Sequence, residues 1–173
     1  MLKQKTNRLT PLSVCLLFVL LVSLCSSNFA QSGNFFWVDL GLGGGSVDEG
    51  GSFNFNAAYQ FNENLLSLRA LMCGKLFEGK CLNDYSLLYG RVLFSSTALF
   101  SVGGGIGIVT GKRSKGLFSE KKEIKTTIAL PLETQLFWRP FRFLGLGLYG
   151  FANINSEESF AGGTFSLQVG LLR

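Results

Sequence analysis

Eight windows of period-two alternation, apolar faces that carry no charge before the final residue, and connections that alternate long and short point to one fold class. They predict an all-β chain, an eight-stranded antiparallel up-and-down transmembrane β-barrel with short periplasmic turns and longer extracellular loops. The clearest window is 52–61. Side chains on a strand alternate between its faces, so Phe53, Phe55, Ala57, Tyr59 and Phe61 share one side and Ser52, Asn54, Asn56, Ala58 and Gln60 the other. In a membrane barrel the greasy face looks at lipid and the amide face lines the lumen.

The other windows follow in order. Residues 34–42 set Phe36, Val38, Leu40 and Leu42 against Phe35, Trp37, Asp39 and Gly41, and 65–73 set Leu66, Leu68, Ala70 and Met72 against Ser67 and Arg69. In 84–94, turning Arg91 inward leaves Ser86, Leu88, Gly90, Val92 and Phe94 outward and brings Tyr85 and Tyr89 inside. Residues 98–110 place Phe100, Val102, Ile106 and Ile108 opposite Ser101, Gly103, Gly105 and Gly107, small inward residues that suit a narrow barrel. Residues 126–138 place Ile128, Leu130, Leu132, Thr134, Leu136 and Trp138 opposite Ala129, Glu133 and Gln135, with Pro131 predicting a bulge or a local break in the ladder. Residues 143–153 and 160–173 alternate in the same way. The loops predicted between them include the glycine-rich 43–51, the charged 74–83 and the basic 111–125, and Arg139 falls in the short turn 139–142.

The amino end reads as a secretory signal. Lys3, Lys5 and Arg8 precede an apolar run from Leu12 to Leu24, and small and polar residues lead to a cleavage site near Ala30. Residues 1–30 are thus the leader and 31–173 the barrel domain. Lipidation at Cys25 is the alternative. Without its leader the chain falls from +5 to +2, a balance that does not suggest nucleic acid as a partner. Cys73 and Cys81 remain, an even pair in an exported chain, and read as a disulfide that staples the loop between them, the alternative being two unrelated thiols.

Catalytic chemistry finds little purchase. Histidine is absent, which rules out a Ser-His-acid site. Gly111-Lys112 lacks the glycine and hydroxyl residue of a phosphate loop, since Ile106 and Arg113 stand there, and 41–46 misses the dinucleotide fingerprint. The chain is read as a non-enzyme, with no catalytic residue, cofactor or metal expected.

The residues that draw attention are structural or interactive. Asp39, Arg69, Arg91 and Glu133 form a candidate lumen charge network, the two acids pairing with the two arginines and plugging the interior. Phe36, Tyr59, Phe61, Phe94, Phe100 and Trp138 collect beside the short turns as an aromatic membrane girdle. Lys112, Arg113, Lys115, Lys121, Lys122 and Lys125 give the longest loop a capacity for anionic surface groups such as lipopolysaccharide phosphates, set against the plainer reading of a solvated loop.

From Ala129-Leu130-Pro131-Leu132-Glu133 through Phe137-Trp138-Arg139-Pro140 and Phe143-Leu144-Gly145-Leu146-Gly147 to Asn153-Ile154-Asn155 and Gly170-Leu171-Leu172-Arg173, the wording resembles the small outer-membrane β-barrel proteins of the Bacteroidetes. The resemblance implies an eight-stranded outer-membrane barrel and brings no defined activity. The chain departs from the proteobacterial barrels in ending on Arg173 rather than an aromatic residue.

These readings converge on a small integral outer-membrane protein with a structural or surface-interaction role exerted through its outer loops. Its expected partners are outer-membrane lipid, lipopolysaccharide and the export and barrel-assembly machinery. Two alternatives stay open. One is a barrel that binds or transports a small hydrophobic molecule in a pocket lined by Trp37, Tyr85 and Tyr89. The other is a soluble lipocalin-like carrier of inverted sidedness.

Overall fold

The computed structural model describes residues 34–75, 79–94, 97–114 and 122–172. The leader, its cleavage site and Cys25 lie outside the described residues, as do Lys115 and Lys121. Eight strands follow one another: β1 (Asn34–Gly45), β2 (Gly51–Phe61), β3 (Asn64–Gly74), β4 (Gly79–Phe94), β5 (Ala98–Ser114), β6 (Lys122–Trp138), β7 (Leu144–Asn155) and β8 (Phe160–Leu171). Each pairs antiparallel with its sequence neighbour, and β1 pairs with β8 from Phe36↔Leu171 to Gly45↔Gly162, so the sheet closes on itself. Closure gives every strand two partners and leaves no edge.

The alternation fixes which face looks out. On β2, Phe53, Phe55 and Tyr59 are exposed while Asn54, Asn56 and Gln60 are buried, the reverse of a soluble half-buried sheet. The same sense holds on seven strands. This is incompatible with the lipocalin-like sidedness, which would have put the phenylalanines inside.

Strand β4 departs from the sequence expectation. Leu82, Asp84, Ser86, Leu88 and Val92 are buried, and Tyr85, Leu87 and Tyr89 are exposed. Arg91 shares the outward face with Tyr89, at the end of the barrel that carries the 62–63 turn. Because the side-chain period is two, placing one arginine on the wrong face inverts the whole strand. Arg91 is tolerated outside because it sits at the rim. There it meets Glu63 at 2.9 Å and Asn64 Oδ1 at 3.1 Å, and Tyr89 donates to the same Asn64 oxygen at 2.6 Å.

The connections also differ from expectation. Much of the predicted outer loops is strand, because β4, β5 and β6 run for 16, 17 and 17 residues. The ladder of β6 with β7 stops at Ala129↔Asn155, whereas its ladder with β5 continues to Arg113↔Lys122. The β5–β6 hairpin therefore stands above its β7 neighbour by on the order of 10–15 Å at ordinary strand rise and tilt. Pro131 does interrupt the ladder to β5, which has no paired residues between Gly104↔Leu132 and Gly107↔Ala129, but the register shift lies higher, between Val109 and Gly111. At the opposite end Asn62, at φ 55°, supplies the left-handed residue that reverses β2 into β3.

The lumen is filled in layers. A lower apolar cluster joins Trp37, Ala58, Leu65, Val92, Leu99, Phe137 and Leu172, and an upper one joins Val47, Leu71, Leu82, Val109, Tyr149, Phe151 and Phe160 among others. Between them lies a polar layer that includes Asp39, Asn56, Arg69, Asp84, Glu133 and Gln168, all buried. Gly170, opposite Trp37, lets β8 lie close against β1, since a Cβ there would run into the Phe36 carbonyl oxygen and come within 2.6 Å of Trp37 Cα.

Candidate functional site: the polar lumen and the basic rim

The polar layer is built by inward positions of neighbouring strands. Arg69 on β3 donates to Asp84 on β4 at 2.5 Å and to the Leu132 carbonyl on β6 at 2.9 Å, so one guanidinium ties three strands across the interior. Ser86 donates to the other Asp84 oxygen. Glu133 on β6 accepts from Ser67 at 2.8 Å, from the Tyr149 hydroxyl, and from Gln135 at 3.4 Å. Gly103 lies beside this carboxylate, where a Cβ would come within 3.2 Å of Oε1. Asp39 accepts from Asn56 at 3.1 Å, with Gln168 its register neighbour on β8.

Of the four residues singled out for the lumen, three therefore face inward and the expected pairing is replaced. Arg69 meets Asp84 rather than Asp39 or Glu133, and Arg91 is outside altogether. Two members of the interior were missed. Asp84 looked like a loop-proximal residue because the start of β4 was set too late, and Arg139 looked like part of a turn. Arg139 in fact folds back into the barrel base, its guanidinium 4.6 Å from the Trp37 ring centroid, its Nε on Gln168 Oε1 at 2.7 Å and its Nη1 on the Leu172 carbonyl at 3.0 Å. The signal available was Trp37 on the inward face, a surface on which a guanidinium can stack.

The pocket proposed for an apolar ligand does not form. Tyr85 and Tyr89 are on the outer wall, and Trp37 is covered by Arg139.

The cysteines are free, which corrects the disulfide expectation. Cys73 is the register partner of Leu82, and Cys81 that of Gly74. Cys73 belongs to the inward set and Cys81 to the outward one, so their Cβ vectors diverge through the wall. Accordingly, a maleimide reagent added to the folded protein without reductant should label Cys81 and spare buried Cys73. A C81S variant that still reacts as fast as the parent would contradict this placement.

The rim at the β5–β6 end is electrostatically divided. Lys112 and Lys125 are exposed, with Glu123 the register partner of Lys112. The paired backbones of Arg113 and Lys122 continue the hairpin. The 46–50 connection, opposite in strand order, carries Asp48 and Glu49. The 156–159 connection beside β6 carries Glu157 and Glu158, with Ser156 Oγ 3.0 Å from Thr127 Oγ1, and Lys80 on β4 reaches Glu158 at 2.6 Å. At the other end Phe36, Tyr59 and Trp138 are exposed, and Phe61 and Phe100 share their outward face half-buried. The side chain of Phe94 is outside the described set. Tyr89 joins this group.

No protein-family model matches the sequence, and no curated protein does. Among solved structures, Neisserial surface protein A superposes with a TM-score of 0.61 at 14% identity, covering 82% of this chain and 98% of that one. The N-terminal β-barrel domain of Pseudomonas aeruginosa OprF gives 0.60 at 9% identity, with 82% and 98% covered. Ail, the attachment invasion locus protein of Yersinia pestis, gives 0.54 at 16% identity, with 79% and 95% covered, and its complex with the heparin analogue sucrose octasulfate gives 0.53. At these identities the likeness is one of fold: the chain has the closed eight-stranded antiparallel architecture of small transmembrane β-barrels.

Proposed function

We propose that this is an integral outer-membrane barrel, exported through its 1–30 leader, closed to bulk flow, and acting as a structural or surface-interaction protein through the hairpins of its basic rim. The carrying observation is the outer wall. Between Arg91 at one rim and Lys112, Glu123 and Lys125 at the other, no outward-facing strand residue among those described is charged. Closure to flow is supported by the two apolar clusters above and below the polar layer. The absence of histidine favours a non-enzymatic role, and the carboxy-terminal wording favours a Bacteroidetes-type barrel. A surface role gains support from Ail, a barrel of like fold that has been captured with a polyanionic sugar.

The test is fractionation of expressing cells, followed by a denaturing gel with and without boiling. Membrane residence with a heat-dependent mobility shift is the expected result, and a soluble periplasmic protein with no shift would overturn the proposal. Leu68→Arg sharpens it. Leu68 is 61% exposed near the middle of β3, and an arginine there should destabilise the barrel in bilayers by about 2–4 kcal/mol. A neutral outcome in urea titrations from vesicles would place this face in water.

A further inference from the structure

The outer wall is ordered in rows perpendicular to the strands. Phe55, Ala70, Tyr85, Ile108 and Ile128 are successive register partners from β2 to β6, and Leu68, Leu87 and Ile106 form the row beneath. Between these rows runs a groove of about 570 Å³, with Ala70 the smallest outward side chain of its lining. One row above stand Asn83 and Thr110, polar and uncharged, and one row above that Lys112 with Glu123, while Lys125 sits beside the register shift between them. From Ile108 to Lys112 is about 13 Å along the strand at ordinary rise.

Apolar cleft, amide and hydroxyl, then ammonium is the order of acyl chain, linkage and phosphate in a membrane lipid. Among the described residues, this is also the sector of the wall where outward strand positions carry lysine. The 46–50 connection joins β1 to β2, opposite β5–β6 in strand order, and its Asp48 accepts from Lys80 N at 2.6 Å. The 156–159 connection instead adjoins β6, with Ser156 Oγ 3.0 Å from Thr127 Oγ1 and Glu158 held by Lys80. Glu123 opposes an anion directly beside Lys112, which moves the favourable seat toward Lys125.

We propose that the β2–β6 face is a binding site for a phosphorylated, multiply acylated lipid of the outer leaflet. Its chains occupy the groove, its linkage groups meet Asn83 and Thr110, and its phosphate sits at Lys112 and Lys125. This rests on the membrane-resident reading above.

The experiment uses the full-length processed barrel folded in phosphatidylcholine vesicles doped with phosphorylated lipid A or its dephosphorylated form, with retained lipid counted by native mass spectrometry. The barrel should retain the phosphorylated form preferentially. Lys112→Gln with Lys125→Gln should cut that preference about tenfold, the scale of one to two charge contacts at a membrane surface. Ala70→Trp, which fills the groove without touching charge, should cut retention of both forms.

Equal retention of the two lipids by a barrel that has inserted overturns the site and leaves the membrane reading standing. Loss in the lysine variant with none in Ala70→Trp also overturns it, because a headgroup contact alone would then suffice, as would soluble sucrose octasulfate displacing the lipid completely from both variants. A barrel that never inserts removes both readings together.

Discussion

Replacing Asp84 by alanine is expected to destabilise the barrel by about 3–5 kcal/mol, because Arg69 would be left charged and unpaired inside the wall. Neither side chain has measurable exposure, and the pair is 2.5 Å apart. The Leu132 carbonyl would remain to Arg69, but a neutral acceptor does not replace a carboxylate. Urea unfolding in vesicles, scored by the fraction of protein retaining its unboiled gel mobility, measures the loss. Arg69→Met combined with Asp84→Leu should recover most of it, since well-packed apolar pairs of similar volume commonly match buried ion pairs. A double variant as weak as Asp84→Ala would mean that packing, not the orphaned charge, is responsible.

The second large effect is expected at the base. Trp37→Ala should cost about 3–5 kcal/mol, the range for truncating a large buried aromatic. The indole is wholly buried, packs in the lower apolar cluster and receives the Arg139 guanidinium on its face. Trp37→Phe keeps an aromatic face and should restore much of the loss. Because the Arg69–Asp84 layer and the upper cluster remain above it, Trp37→Ala should still show no current in planar bilayers. Steady conductance from this variant would show that the base is the seal and the upper layers are permeable.

How much of this was legible in the sequence depends on how loudly each strand alternates. On β2 five apolar residues face five small or amide ones, so its sidedness and register could be read directly. On β4 leucines occupy both faces and the sole strong marker was Arg91, which lies at the rim, where a charge can face outward at little cost. The marker that corrects it, Asp84, is the first residue of the predicted window, where an acid reads as the end of a loop, whereas the strand runs from Gly79 and holds Asp84 well inside it. Strand ends were the general weakness. A stretch such as 111–114 is polar because it stands above the apolar band of the wall, and polarity alone does not distinguish an exposed hairpin from a loop. Lumen pairing was illegible for another reason: inward residues meet across a closed barrel according to its stagger, so Arg69 reaches β6 as well as its neighbour β4. Arg139 shows the same limit, since only the folded base reveals that a turn residue turns back inside.

The seam between β1 and β8 carries a consequence for biogenesis. The backbone groups of Phe36–Gly45 that face β8 find their partners in Gly162–Leu171, almost the whole chain later. No shorter product can satisfy them, so every intermediate on the way to the cylinder carries two raw ladders of hydrogen-bonding groups, one at each end of the growing sheet. In hydrocarbon such ladders are intolerable and in water they recruit other chains. The first strand therefore keeps one open side until the last arrives, and the cylinder closes only with the final strand in place.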